Sequence, residues 1–264
     1  MTKSNPTAKS SEITGRKHET QIEIDVPIEE VWRALTEADA VARWFAPKMT
    51  VEPGVGGFVL ADFGPGLEWK TTIEVWEPNR HLRLVETRDQ GMSDSPVSEA
   101  REPCRLVQDY YLEAAGGKTV LRLVHSGFGS GEAWDVEYDG TRGGWPICFL
   151  RMKLGLEQHR NESVNRMTVT WPCHGSEHEP VLERIESAAV RTLDIRLRGK
   201  YDFCAVLPEL NGSVLSVSVQ PSPTGLMAYV EILLFAAAGE QAGALESEWK
   251  RRLETLYPQP ADQA

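Results

Sequence analysis

The chain has 264 residues, a formal net charge of −11, 41% hydrophobic and 25% charged residues. That length and balance fit a soluble globular protein of one large or two ordinary domains. The acidic excess argues against a nucleic-acid surface, which needs clustered Lys and Arg, and against docking on an anionic membrane.

Residues 1–17 are polar, with no apolar core segment, and read as a disordered tail without a signal peptide. HETQIEIDV (18–26) alternates around Ile22, Ile24 and Val26, a strand signal. Pro27 then suits a helix start. In PIEEVWRALTEADAVARWFA the apolar residues Ile28, Val31, Trp32 and Leu35, then Val41, Trp44 and Phe45, predict two short helices, with a break near Thr36 capping the second. Strand signals follow: VEPGVGGFVLADF with its turn glycines, LEWKTTIEVWEP, HLRLVET, and a hairpin CRLVQDYYLEA–KTVLRLVHS around Gly116-Gly117. In the second of these, Trp69, Thr71, Ile73 and Val75 share one face and Trp76 lies on the other. Leu82 and Leu84 share a face in the next strand. Leu106, Tyr110, Leu112, Leu121, Leu123 and His125 are the expected inward residues of the hairpin, with Asp109 outward. The polar, breaker-rich stretch 88–103 reads as a long loop.

Then comes HSGFGSGEAWDVEYDGTRGGWPICFL (125–150). Trp134, Tyr138, Trp145, Phe149, Met152 and Leu156 recur at intervals of four, seven, four, three and four, a helical period. Gly143-Gly144 and Pro146 interrupt it, so a kink, or a restart with Pro146 in the first turn, is expected. The carboxylates Asp135, Glu137 and Asp139 suit the positive end of a helix. Residues 161–180 read as a linker. Residues 181–264 read as a smaller sheet, with strand signals at 190–197, 213–220 and 227–235, closed by the helix ALESEWKRRLETLYP; they look like an abbreviated version of the first unit, without its early strand and helix pair. The apolar run 226–238 is too short to span a bilayer and contains Glu231. Cys104, Cys148, Cys173 and Cys204 are widely spaced, as free thiols in a reducing cytoplasm would be. The overall expectation is an α+β chain: a curved antiparallel sheet over 18–160 covered by one long helix, with a cavity between them.

The segments "VPIEEVWRALTEADAVARWFAP", "PGVGGFV" and "HSGFG…W…EYDGTRGGWP…L…L", in this order, resemble the START-like (SRPBCC, Bet v 1-like) superfamily, and within it the group related to the activator of the heat-shock-protein-90 ATPase. The resemblance covers about residues 17–159. It implies a helix-grip fold with a hydrophobic tunnel between sheet and helix, whose mouth is the loop 125–131. On that reading the tunnel is lined by Trp44, Phe45, Phe58, Phe63, Trp69, Ile73, Leu84, Tyr110, Leu112, Leu123, His125, Phe128, Trp134, Tyr138, Trp145 and Phe149. Any one of these aromatics, taken alone, reads first as a core residue; only the set, with the resemblance, reads as a cavity lining. The implied occupant is an apolar or amphipathic small molecule oriented by Tyr110, His125 and Tyr138. A chaperone partner and a cyclase- or dehydratase-type enzyme are the alternatives; the latter needs an inward acid/base, for which Glu68, Glu86 and Asp109 are the strand carboxylates to inspect. A homodimer is compatible with weakly protected sheet edges. No cofactor or metal is expected: Cys173, His174 and His178 match no strong zinc spacing, and Gly54, Gly56 and Gly57 precede a strand, not a phosphate-binding helix.

Overall fold

The computed structural model describes residues 15–259 except 65, 89–103, 132–133, 176, 190–191, 223–224 and 238; the expected long loop therefore lies almost wholly outside the described residues, as does most of the expected tail. Strand β1 (Arg16–Ile24) leads to helices α1 (Ile28–Thr36) and α2 (Ala38–Ala42), then to strands β2 (Lys48–Glu52), β3 (Phe58–Asp62), β4 (Glu68–Glu77), β5 (His81–Arg88), β6 (Cys104–Ala115) and β7 (Lys118–Phe128), and to the 23-residue helix α3 (Asp135–Glu157). The seven strands form one antiparallel sheet in the order β1-β7-β6-β5-β4-β3-β2. A meander with its first strand laid beside its last, one face covered by a long helix, is the helix-grip arrangement.

Three local expectations need correction. Thr36 does not cap α2; its hydroxyl donates back to the Trp32 carbonyl at 2.7 Å, and Glu37 takes the cap position. Of the kink or restart expected at Pro146, the restart does not occur, since α3 runs on through it. A proline forfeits one backbone hydrogen bond in a helix, and burial of the neighbouring Trp145, Ile147 and Phe149 offsets that loss. In β4 the register slips between Ile73 and Val75, leaving Glu74 as the extra residue of a bulge. Beyond it the parity reverses, so Trp76, assigned to the outer face by simple alternation, packs edge-on against Trp32 at 5.2 Å in the core.

The stretch 161–180 is not a linker. It holds strand β8 (Val164–Cys173) and the start of helix α4 (His178–Ala188). Strands β9 (Asp194–Arg198), β10 (Asp202–Leu207), β11 (Ser213–Ser222) and β12 (Gly225–Phe235) and helix α5 (Gly239–Leu256) complete the chain. The second sheet has the order β8-β12-β11-β10-β9, again with the first strand beside the last. The second unit thus does possess an early strand and helix, and repeats the first topology with two strands fewer.

The two units stack as layers. One face of the second sheet is covered by α4 and α5 through Leu182, Ile185, Leu245, Trp249 and Leu253. Its other face packs on α3: Ile147, Leu150 and Leu154 meet Cys204, Val206, Val214, Leu233 and Phe235. Helix α3 is therefore gripped twice, with Cys148, Phe149 and Met152 turned to the first sheet. Strand β10 is buried at every position because both of its faces are covered, which is why it reads as an unbroken apolar run, FCAVL. This sandwich also explains Gly143. A Cβ there would stand 2.4 Å from the Asp202 carboxylate on β10, so any larger residue would have to push that side chain aside. No helix among the described residues is long and apolar enough to cross a membrane.

Candidate functional site beneath the long helix

Trp145 occupies the centre of the space between the first sheet and α3 and is 3% exposed. Its ring stacks parallel on Phe45 at 5.6 Å, and Tyr110, Trp69 and Phe149 surround it at 6.0, 6.4 and 6.2 Å between ring centres. Trp44, Ile73, Leu84, Leu112 and Leu123 belong to the same core cluster. Phe128, Trp134 and Tyr138 gather separately around the N-terminal end of α3, together with Leu106. Two of the sixteen residues assigned to the tunnel belong to neither group. Phe58 alternates with Val59 and Ala61, which are the core residues of β3; its ring faces the other way and carries the Lys70 ammonium at 4.5 Å. Phe63 is 42% exposed and reaches the cluster only by an edge contact with Phe45.

A row of polar side chains crosses the inner face of this sheet. His18 on β1 is paired in register with His125 on β7, and His125 with Gln108 on β6. All three are buried. The Trp145 indole N–H donates to His125 Nδ1 at 3.1 Å. An indole can only donate, so Nδ1 accepts and a neutral His125 ring carries its proton on Nε2. The Tyr110 hydroxyl donates to Gln108 Oε1 at 2.9 Å. Burial, with a smaller push from Cys148, raises the Tyr110 pKa well above its usual value, so this phenol remains a donor. Cys148 itself is held up by burial, so it stands as a thiol and not a thiolate nucleophile at neutral pH.

His18 was not among the residues singled out from sequence, although its parity with Ile22 and Ile24 would have placed it on the inner face. Its Nε2 lies 3.0 Å from the Thr141 hydroxyl on α3. That hydroxyl already lies within donating distance of the Glu137 and Tyr138 carbonyls. The arrangement therefore favours Nε2–H donating to Thr141, with the buried Nδ1 left as a lone pair that has no partner among the described residues. Burial first, and the Arg142 charge second, lower the His18 pKa from 6.5 to about 4.

The folded protein thus holds His18 neutral, while the unfolded chain takes up its proton below the ordinary value. Between the two the unfolded state binds more protons, so this contribution to stability is fully present above pH 6.5 and is lost as pH falls toward 4. Comparing urea unfolding near pH 7 and near pH 4.5, the wild type should lose about 2 kcal/mol more than His18→Gln. Equal losses in the two proteins would remove His18 as a source of acid sensitivity.

Of the carboxylates marked for inspection, Glu86 is inward and buried. It shares the inner parity of Leu82 and Leu84 and accepts the Trp69 indole N–H. Asp109 lies on the other face, as its parity required, where Arg83 grips it at 2.7 and 3.0 Å and His81 reaches it at 2.7 Å. Glu68 is exposed. Near the end of β8, Cys173 is sunk in the second core, His174 points to the Pro258 carbonyl, and His178 packs edge-on against Tyr201. Those three side chains do not converge. What the inner face of the first sheet offers is an aromatic shell around a few fixed, neutral polar groups. Such a surface can hold an apolar molecule and read one or two of its oxygens.

No curated protein matched the chain. A protein from Mesorhizobium loti of solved structure is 26% identical, with 54% of this chain aligned to 98% of that one at a TM-score of 0.46. Two others align with 91% of this chain: DynU16, from the dynemicin biosynthetic locus, at 18% identity, 96% of its own length and a TM-score of 0.43, and the di-domain ARO/CYC protein BexL at 14% identity, 93% of its length and 0.46. The family model of the Activator of Hsp90 ATPase homolog 1-like proteins matches residues 25–157, which run from the end of β1 through the last residue of α3. That match takes in half of the chain, and it includes both short helices and the whole of the helix that closes the sheet. The chain belongs to the Activator of Hsp90 ATPase homolog 1-like family.

Proposed function

We propose that this protein binds one amphipathic small molecule between the first sheet and α3. The single observation that carries the reading is the buried polar row, His18, His125 and Gln108, with Tyr110 beside it, inside an otherwise aromatic and aliphatic shell. Buried polar groups are expensive unless satisfied, and a purely structural core would do without so many. The His18 lone pair in particular suits a hydroxyl on the ligand. Trp145 fills the middle of the shell, so entry of a ligand requires this ring to swing aside while α3 keeps its hold on the second sheet through its opposite face.

The test is native mass spectrometry of freshly purified protein, followed by denaturing extraction, and titration with a fluorescent fatty-acid probe. One apolar mass per chain, or saturable uptake of the probe that His18→Gln and Tyr110→Phe weaken, is the expected result. A clean apo mass with no uptake would sink the reading, and binding to heat-shock protein 90 would then be the next activity to measure.

A further inference from the structure

A concave feature lies beside α1, where the two units meet. It is a cleft of about 350 Å³, walled by α1, α3 and the end of β12. That volume is at the small end of ligand sites. Its charge is the reverse of the chain's. In a protein of net charge −11, four arginines (Arg33, Arg43, Arg151, Arg160) line it against two glutamates, Glu30 and Glu37. Arg160 is paired with Glu30 at 2.8 Å. The Arg43 guanidinium is held by two neutral acceptors, the carbonyls of His159 and Glu162 at 2.8 and 2.9 Å, which position its charge without cancelling it.

Arg151 is the central group. It is 5% exposed, and its Nη2 donates to Glu231 on β12 at 2.6 Å. The same carboxylate also accepts from Arg166 of β8, so two buried guanidinium groups share one carboxylate. Burial lowers the pKa of both arginines, to about 9 for Arg166, where the neighbouring Arg151 charge adds to the effect. The Arg151 Nε–H is buried and has no acceptor among the described residues. A guanidinium offers its donors in a flat fork matched to carboxylate and phosphate oxygens. Trp44, Met152, Leu156 and Phe235 supply apolar walls beside it.

We infer that this cleft between the two units is a second binding site, taking a small carboxylate or phosphate with a short apolar body, its anionic head received by Arg151. This site shares the walls Trp44 and Met152 with the cluster beneath α3, but its anion-binding group, Arg151, has no part in the proposal made for that space.

Isothermal titration of the full chain with hexanoate, hexyl phosphate and hexanol tests the assignment, together with Gly155→Leu and Arg151→Lys. Gly155 lines the cleft on α3, and a Cβ there meets no atom within 4 Å, so a side chain can start there in open space and reduce the room in the cleft. Hexanoate or hexyl phosphate should bind one per chain, at least tenfold tighter than hexanol, and which of the two wins tells carboxylate from phosphate. Gly155→Leu should weaken that binding at least tenfold, and Arg151→Lys, which keeps the charge but loses Nε, should weaken it too. A fluorescent fatty-acid probe bound beneath α3 should not be displaced. Absence of anion binding, hexanol binding as tightly, or anion binding untouched by Gly155→Leu would each overturn the assignment. Loss confined to Arg151→Lys with Gly155→Leu unaffected would do so as well, since it would mark a loosened unit interface and not a filled site.

Discussion

Trp145→Ala is expected to destabilise the first unit by about 3–5 kcal/mol, the usual cost of deleting a buried tryptophan. Two effects combine. The ring contacts Phe45, Tyr110, Trp69, Phe149 and His125, so its removal leaves a void that these side chains cannot all close. His125 Nδ1 also loses the indole N–H that it accepts. Trp145→Phe separates the two effects: it keeps most of the apolar contact and should cost about 1–3 kcal/mol, chiefly for the unmade hydrogen bond. Urea unfolding followed by amide exchange checks this, because lost protection should concentrate in β6 and β7, whose inner faces meet the ring. If Trp145→Ala were nearly neutral, the ring would be a loosely held plug and not a keystone of the core, and the route by which a ligand enters would need no helix adjustment.

Glu231→Ala should have an effect of similar size at the other side of the same helix. It strands Arg151 and Arg166, whose side chains are 6% and 12% exposed, with no compensating anion. Breaking a buried pair by removing one partner costs about 3–5 kcal/mol, whereas replacing the whole set with apolar residues of like volume is often neutral. The triple variant Arg151→Met, Arg166→Met, Glu231→Leu is therefore expected to recover most of the stability lost by Glu231→Ala, as read by urea unfolding. That triple variant should nevertheless fail to bind hexanoate or hexyl phosphate, because it removes the donor fork. Recovery of stability together with retained anion binding would detach the ion cluster from the cleft's function. Arg166 also reaches the Ala42 carbonyl of α2 at 3.3 Å, so the cluster joins α2, α3, β8 and β12 and fixes how the units are set against each other.

Much of this molecule was legible before any coordinates. The alternation of HETQIEIDV, the clean pattern of LEWKTTIEV and the glycine-centred hairpin gave the strands of the first sheet, because each has one face on a core and one on solvent. The spacing of Trp134, Tyr138, Trp145, Phe149 and Met152 gave the helical period but left a kink or a restart open at Gly143-Gly144 and Pro146; that one helix runs on through them reflects burial of those rings, which outweighs the local cost. The inward assignment of Tyr110, Leu123 and His125 followed from parity alone. The same parity rule put Trp76 on the wrong face, because a bulge adds one residue and leaves no mark in composition.

What only the tertiary structure decided lies mostly where one element serves two neighbours. β8 looked irregular because polar residues such as Asn165, Arg166 and Thr168 flank its core positions Met167 and Val169, and its identity as a strand comes from ten-residue pairing with β12, a partner far along the chain. α4 was hidden in the same polar stretch. The double grip on α3, the closeness of Gly143 to Asp202, and the meeting of Arg151 with Glu231 are all long-range juxtapositions. Periodicity reports which face of an element is apolar. It cannot report which other element that face will meet, because that choice is made by packing between segments whose separation in sequence carries no local signal.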